Sequence, residues 1–398
     1  MADAHVWVIG SAATSHAVTD SEGRTSLVLT ADTPATIQAV QIRPVSGYWP
    51  AWIDYPYLSD ADQGEVVVEV QALSETFEHF PDRPLTGWGL QAMRLHQIPE
   101  AYRGHGIKIA LVGSGVDVAH PDLKDTVLGG YDYTAPGEDT WRTDATGHGT
   151  HCAGIIAAAD NRTGITGIAS DAQLYSLKLF PRGRISDLLQ ALDYCITHDI
   201  DLAQLNLAYR RPSQLTAWKL LDASAAGIAV IAPAGDTGGP TVLPASLPTV
   251  LAVGALANTG TEPAISPRQT DDPARHGPYT PTFTPTGPGV DLVAPGVAVI
   301  TTAQNDAYAP ADGTAIAAAH ITGLAALLLA YHAYPRTSAR VRHLHALLHT
   351  ACRPIPALDT GRVGAGLPDA PTAFRFPAPS SASPNQLIGQ LQGSSRPS

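Results

Sequence analysis

The sequence predicts an α/β fold with a mostly parallel sheet, preceded by a small all-β unit. In the first 80 or so residues, alternating and β-branched runs follow one another with no helical-period segment between them, which is typical of a small β-sandwich. From about residue 87 onwards, apolar strand-like runs alternate with helical stretches. That alternation is typical of a parallel sheet with helices on both faces.

The individual elements follow from the same patterns. The all-β unit is expected to contain strands at residues 5–9, 25–30, 35–42 and 65–70. The α/β part is expected to contain strands at residues 107–112, 173–179, 200–207, 228–233 and 250–253. Helices are expected at residues 150–159, 185–197, 215–226 and 315–330. In such sheets, functional residues gather at the carboxyl ends of the strands.

The length and composition suit two domains and a tail. The chain has 398 residues, of which 44% are hydrophobic, so it can bury a large core and is not disordered as a whole. We expect the all-β domain at residues 1–83 and the α/β domain at residues 84–372. Residues 373–398 are rich in Pro and Ser and are expected to form a disordered tail.

Charge and composition exclude several classes of function. The formal net charge is −12, which disfavours a nucleic-acid partner bound through its phosphates. No uninterrupted apolar stretch reaches about 18 residues, so we expect no membrane span. The N-terminus lacks the basic and apolar regions of a secretory signal, and three cysteines are too few for a disulfide framework or a zinc site. We therefore expect a cytoplasmic protein.

Five ordered motifs carry a family resemblance. The most distinctive is GHGTHCAG at residues 147–154, and the others, in chain order around it, are IKIALVGSGVDVAHPDL at 107–123, IAVIAPAG at 228–235, DLVAPG at 291–296 and GTAIAAAHITG at 313–323. Together they resemble the subtilisin-like serine peptidases, or subtilases, over roughly residues 84–372. The resemblance implies a subtilisin-like three-layer α/β/α domain behind the all-β unit.

The resemblance also implies where the catalytic groups fall. In subtilases a serine attacks the substrate carbonyl, a histidine takes its proton, an aspartate orients that histidine, and an asparagine amide stabilises the oxyanion. Motif by motif, the histidine falls on His148, which is retained. The serine falls on Ala315, the aspartate on Gly113 and the oxyanion asparagine on Asp236. Loss of the serine alone costs an active member roughly 10⁶-fold in turnover.

Three nearby side chains are candidates for a substitute nucleophile: Ser114, Thr314 and Cys152. A thiolate at Cys152 would need to be exposed and activated, and the two hydroxyls have ordinary structural roles in the family. We expect all three to be structural.

The resemblance also implies which residues line the substrate cleft and where a metal site would lie. The channel strand of the family corresponds here to Asn206, Ala208 and Tyr209, and the added bulk of Ala208 and Tyr209 would narrow the substrate pocket. A structural calcium site is implied at four positions that match its ligands: Asp122, Asn161, Thr163 and Ile165. The glutamine that commonly completes this site is not evident near Pro84. No cofactor is required.

The sequence is compatible with three functions. The first is a pseudopeptidase that binds a peptide or partner protein, as an accessory in a peptide processing or biosynthetic pathway. The second is a repurposed enzyme that uses His148, with Asp236 nearby, for isomerisation, cyclisation or elimination on a peptide or natural product. The third is a subtilisin-like serine endopeptidase, as the family motifs alone would suggest.

Overall fold

The structure is a computed structural model that describes residues 1–56, 67–209, 211–263 and 276–375. Its strands are β1 His5–Gly10, β2 Thr14–Val18, β3 Ile37–Arg43, β4 Ala51–Asp54, β5 Lys108–Gly113, β6 Val127–Asp132, β7 Gln173–Lys178, β8 Leu202–Leu205, β9 Ala229–Pro233, β10 Val250–Asn258, β11 Pro278–Tyr279, β12 Leu292–Pro295, β13 Val299–Ala303, β14 Ala307–Ala311, β15 Cys352–Arg353 and β16 Leu367–Pro368. Its α-helices are α1 Leu73–Thr76, α2 Trp88–Ala92, α3 His148–Ala157, α4 Ile185–Thr197, α5 Gln214–Ala225, α6 Thr314–His332, α7 Ser338–Thr350, α8 Thr360–Val363 and α9 Ala370–Arg375.

The predicted N-terminal β structure is present as one antiparallel sheet in the order β2-β1-β3-β4. The described residues of this part form no second sheet, so they do not make the predicted sandwich, and the short helix α1 follows the sheet. Four residues of β3 are buried, Ile37, Ala39, Val40 and Ile42, so its burial is not a strict alternation. Three of them, Ile37, Val40 and Ile42, pack with Ala4 and Ala51 in a small core.

Two of the predicted N-terminal strands differ from the structure. Residues 25–30 alternate between half-buried and exposed, and Leu29 packs on the sheet, but their backbone joins no ladder. Residues 65 and 66 lie outside the described part of the chain, and residues 67–70 form no strand. The sequence patterns missed β2, which alternates between exposed and half-buried residues, and the short β4.

The α/β domain has the predicted parallel sheet at its centre. Its strand order is β11-β10-β9-β8-β5-β7-β6, with β12 paired to β10. All these pairs are parallel except β10 with β11. The strands are rich in Val, Ile, Leu and Ala because helices cover both faces of the sheet.

The helix α6 runs through the larger core of the domain. It packs against α3 and against the face of the sheet formed by β8, β9, β10 and β12. Its length and composition would suit a membrane span, but 89% of its most apolar stretch is buried inside this fold. The other face of the sheet is covered by α4 and α5, which pack against each other.

The N-terminal sheet is joined to the α/β domain by direct contacts. The amide of Gly47 donates to the carbonyl of Tyr308 at 2.8 Å, and Leu85 forms a parallel bridge with Ile165. The aromatic rings of Phe80 and Tyr308 meet edge to face at 4.9 Å. At the other end, α9 extends past the predicted domain boundary at residue 372, and the remaining tail, residues 376–398, lies outside the described residues.

Candidate active-site cleft

Three adjacent strands carry the predicted site residues to one edge of the sheet. Gly113 ends β5, Asn206 directly follows β8, and Asp236 lies a few residues after β9. Since β9, β8 and β5 are neighbouring parallel strands, their carboxyl ends lie side by side. The structure therefore brings together residues that are more than a hundred positions apart in the chain.

His148 is the first residue of α3, and it follows Gly147, whose φ of +83° lies in the left-handed region that favours glycine. The imidazole is half-buried and makes no hydrogen bond to any residue in the described ranges. Burial lowers the pKa of His148, and the carboxylates of Asp236 and Asp144 oppose that shift. The neutral imidazole, which can accept a proton, is thus favoured near neutral pH.

Ala315 lies in the first turn of α6 and is 2% exposed. Its methyl group carries no atom that can attack a carbonyl. Its backbone oxygen accepts a hydrogen bond from Gln204 Nε2 at 3.1 Å and a weak one from Cys152 Sγ at 3.6 Å. These contacts attach the start of α6 to β8 and α3.

Gly113 lies close against Asn206, so that even a Cβ here would be in tight contact. A Cβ added at Gly113 would have Asn206 Cβ as its nearest neighbour at 3.3 Å, with Asn206 Nδ2 and O next at 3.9 Å. Asn206 is 8% exposed, and its Oδ1 accepts from Gln204 Nε2 at 2.7 Å. Two buried atoms, Asn206 Nδ2 and Gln204 Oε1, have no hydrogen-bond partner in the part of the chain that is described.

Asp236 is exposed and faces the N-terminus of α6. Its Oδ1 accepts the backbone N–H of Thr314 at 2.8 Å, while Thr314 Oγ1 accepts the N–H of Gly235 at 3.2 Å. A carboxylate at this end of a helix satisfies a free N–H and interacts favourably with the helix dipole. An ionised carboxylate only accepts hydrogen bonds, so Asp236 has no donor to offer an oxyanion.

We expect the Asp236→Ala variant to lose roughly 1 kcal/mol of unfolding free energy, because the N–H of Thr314 loses its acceptor. The matched variant Asp236→Asn retains an acceptor oxygen and should unfold like the wild-type protein. Urea denaturation of the two variants measures the difference. Equal stability of both variants would show that Asp236 does not stabilise α6.

Sequence reasoning missed Asp144 and Gln204. Asp144 is buried and accepts hydrogen bonds from the Thr150 N–H and Oγ1, both at 2.7 Å, and from the Thr146 N–H at 3.0 Å. It thereby holds the loop that leads into His148. An aspartate shortly before a helix start is a capping signal that could have found it. Gln204, in contrast, reads as an ordinary position of a buried strand.

The residues of the predicted cleft wall differ in their environments. Asn206 is buried, Ala208 is exposed, and Tyr209 is half-buried. The N–H of Tyr209 donates to the Leu243 carbonyl at 2.9 Å. Asn206 lies next to Gly113, whereas the backbone N–H of Tyr209 is paired with the Leu243 carbonyl.

The family model described as the Subtilase family matches residues 104–383 of the chain. The chain belongs to the subtilase family. The resemblance of its five motifs and the predicted subtilisin-like fold are thereby confirmed.

Individual relatives match over most of the α/β domain. The chain is 34% identical to Subtilisin BL from Lederbergia lenta over 249 residues, which are 61% of this chain and 83% of that protein. It is 34% identical to Subtilisin E from Bacillus subtilis (strain 168) over 263 residues, but spans only 62% of that protein's length.

A solved structure shares the fold. Fervidolysin from Fervidobacterium pennivorans, described as a keratinolytic enzyme related to subtilisin, superposes with a TM-score of 0.63 at 23% identity. The match covers 74% of this chain and 46% of that chain.

The three candidate substitute nucleophiles are all buried in this subtilase. Ser114 is 5% exposed, and its Oγ accepts the N–H of Gly149 at 3.1 Å. Thr314 and Cys152 are fully buried, and burial raises the pKa of the Cys152 thiol to about 12. A buried thiol that stays protonated is a poor nucleophile, so these contacts support the structural roles expected for the three residues.

The four positions matched to a calcium site do lie together, but their hydrogen bonds do not suit a cation. Asp122 Oδ1 accepts from Asn161 Nδ2 at 2.8 Å, and Oδ2 accepts from the Ile165 N–H at 3.2 Å and the Tyr308 hydroxyl at 2.9 Å. Asn161 Oδ1 accepts two hydrogen bonds from Thr163. Calcium takes six to eight oxygen ligands, whereas here N–H and O–H groups face the carboxylate.

The same loop leaves no room for a larger side chain. Gly164 has a φ of +57°, and a Cβ there would lie 1.9 Å from the Tyr308 hydroxyl. Across the described ranges, no three His, Cys, Asp or Glu side chains form a metal-binding group. As arranged, the residues at Asp122 do not fit a calcium ion.

Proposed function

We propose that this subtilase is a catalytically degenerate pseudopeptidase that binds a peptide or partner protein in its cleft. Its role would be that of an accessory in a peptide processing or biosynthetic pathway. One observation carries the proposal: the residue at the start of α6 that matches the family's nucleophile is Ala315, a buried methyl group. No neighbouring hydroxyl or thiol replaces it within the described residues.

Two further positions support the loss of proteolysis. Gly113 has no side chain to orient His148, and Asp236 offers an acceptor where the family offers an amide donor. In subtilisin, loss of the serine costs roughly 10⁶-fold in turnover, and loss of the oxyanion amide roughly 10²- to 10³-fold. These costs do not add, but the first alone would abolish useful hydrolysis.

The half-buried imidazole of His148 supports binding. Its ring nitrogens form no hydrogen bond with any described residue. A ligand in the cleft that pairs with this ring would gain a hydrogen bond.

A second candidate is a repurposed enzyme that uses His148 as a general base. The observation that favours it is the unpartnered, half-buried imidazole, whose pKa burial lowers. Such a group could move protons during isomerisation, cyclisation or elimination on a peptide or natural product. The third candidate function is a subtilisin-like serine endopeptidase, as the family motifs alone would suggest.

Mass spectrometry of a diverse peptide library separates the three. The library is incubated with the wild-type protein and with His148→Ala, and peptides retained on immobilised protein are identified. We expect no fragments and no mass shifts, with a subset of peptides retained. Fragments in the wild-type sample alone would establish a peptidase, and mass shifts such as loss of water that vanish in His148→Ala would establish the repurposed enzyme.

A further inference from the structure

A cavity of about 630 Å³ lies between α2, the end of β10 and the paired strands β15 and β16. We call it the α2 cavity, because Trp88 and Gln91 of that helix form part of its lining. It shares no described residue with the cleft that contains Gly113, Asp236 and Ala315. Its volume lies within the range of roughly 300–1,000 Å³ that is typical of pockets for small molecules.

The α2 cavity has apolar walls that the fold holds in place. The indole N–H of Trp88 donates to the Val297 carbonyl at 3.0 Å, which fixes the orientation of the ring. Ile355 is half-buried and packs against the main core of the domain. Pro354 and Pro356 flank Ile355 in the lining, and their rings restrict the backbone on either side of it. A preformed apolar wall of this kind suits a ligand with an apolar body.

Two arginines in the same lining, Arg94 and Arg353, share one carboxylate. Asp369 accepts from Arg94 Nε at 2.5 Å and from Arg94 Nη2 at 2.6 Å, and its Oδ1 lies 3.3 Å from Arg353 Nε. Burial alone would raise the pKa of Asp369, but hydrogen bonds from Arg94 and Thr372 lower it overall, so this carboxylate is ionised. Arginine is always protonated in proteins. The cluster therefore carries one excess positive charge.

That excess charge lies on the accessible side of the cluster. The side chains of Arg94 and Arg353 are 39% and 48% exposed, whereas the side chain of Asp369 has no exposed area. Arg353 Nη2 donates to the Ala92 carbonyl at 2.5 Å, and the Nη1 group of each arginine makes no hydrogen bond within the described ranges. No described residue with a carboxylate side chain lines the cavity. A chain with a formal net charge of −12 thus contains an apolar cavity with a cationic side.

We propose that the α2 cavity binds an apolar carboxylate, whose oxygens accept hydrogen bonds from Arg94 and Arg353 while its body packs against Trp88 and Ile355. The single excess positive charge matches a singly charged carboxylate, and the planar guanidinium group matches carboxylate geometry. This inference goes beyond the proposed function and does not depend on it, because the cavity is separate from the cleft. The ligand is a free organic acid or the C-terminus of a peptide whose last side chain is apolar.

The test uses 2-naphthoate as the probe and 2-naphthylmethanol as its uncharged analogue. Binding of each to the full-length protein is measured by calorimetry at constant ionic strength. We expect saturable binding of 2-naphthoate, at least fivefold tighter than that of 2-naphthylmethanol, because only the carboxylate pairs with the arginines. Equal affinity for the two probes, or no saturable binding of 2-naphthoate, would overturn the proposal.

Charge variants place the binding in the α2 cavity. Gln91 is exposed, so Gln91→Glu adds a negative charge to the lining with little change of shape and should weaken 2-naphthoate binding at least fivefold. Arg353→Met leaves Arg94 and Asp369 balanced, so the two probes should then bind about equally. The control Arg342→Met removes the same charge from an exposed position of α7 outside the cavity and should bind 2-naphthoate like the wild-type protein. Circular dichroism confirms folding, and unchanged 2-naphthoate affinity in Gln91→Glu would refute the site.

Displacement of bound 2-naphthoate identifies the source of the carboxylate. The competitors are the tripeptide N-acetyl-Ala-Ala-Phe with a free C-terminus and the same tripeptide as its amide. Displacement by the acid alone supports the site and names a peptide C-terminus as the ligand. Displacement by neither, with the charge preference of the probes intact, supports the site and names a free organic acid. Equal displacement by acid and amide would contradict the proposal, because the cavity would then not distinguish a carboxylate.

Discussion

The triple variant Gly113→Asp, Asp236→Asn, Ala315→Ser should hydrolyse a peptide ester or anilide at least 10³-fold faster than the wild-type protein. Serine at Ala315 supplies the nucleophile, and aspartate at Gly113 supplies the carboxylate that orients His148. Asparagine at Asp236 keeps an oxygen for the Thr314 N–H and adds an amide donor for the oxyanion. The expected gain is set below the roughly 10⁶-fold cost of losing the triad, since the pocket wall also differs.

The single variants show which position limits the reaction. Ala315→Ser alone should stay near the wild-type level, because the imidazole has no carboxylate to hold its tautomer and loss of that carboxylate costs roughly 10⁴-fold. Adding His148→Ala to the triple variant should abolish its activity and serves as the control. Hydrolysis by the wild-type protein at the level of the triple variant would contradict the pseudopeptidase proposal.

The fold could be predicted from the sequence because local residue patterns indicate its strands and helices. The runs around Gly113, Asn206 and Pro233 are apolar over several residues, and the motif at residues 147–154 identifies the start of α3 without any tertiary information. The N-terminal sheet was harder. The strand β2 places the polar side chains of Thr14, Ser15 and His16 beside β1 and buries little, so its pattern is weak.

The state of the site depends on contacts that no local pattern contains. The carboxylate of Asp236 could be read from the sequence, but its hydrogen bond to the N–H of Thr314 spans 78 positions. Likewise, Asn206 reads as a wall residue, and only the packing shows that its amide lacks an acceptor beside Gly113. Residue identity therefore predicted which side chains the site contains, and the structure was needed to show what those side chains contact.

The largest expected effect on stability concerns Tyr308, which is 186 positions from Asp122 and was not predicted as part of the site. Burial, and then the Asp122 carboxylate, raise the pKa of Tyr308, so its hydroxyl stays protonated and donates to Oδ2. We propose that this hydroxyl, with Asn161 and the Ile165 N–H, holds the loop in place of a calcium ion. In Tyr308→Phe the ring still packs on Phe80, but the hydrogen bond to the carboxylate is lost.

We expect Tyr308→Phe to cost about 2 kcal/mol, because a hydrogen bond to a charged group is worth roughly 1.5–3 kcal/mol. For a chain of this size, that corresponds to a fall in Tm of roughly 2–3 °C. The matched control, Tyr131→Phe, removes an exposed hydroxyl and should leave Tm unchanged. The wild-type Tm should be the same in millimolar calcium and in EGTA. A calcium ion bound at Asp122 would instead stabilise the folded state. A Tm that falls in EGTA would therefore show that a bound cation, rather than Tyr308, stabilises the loop.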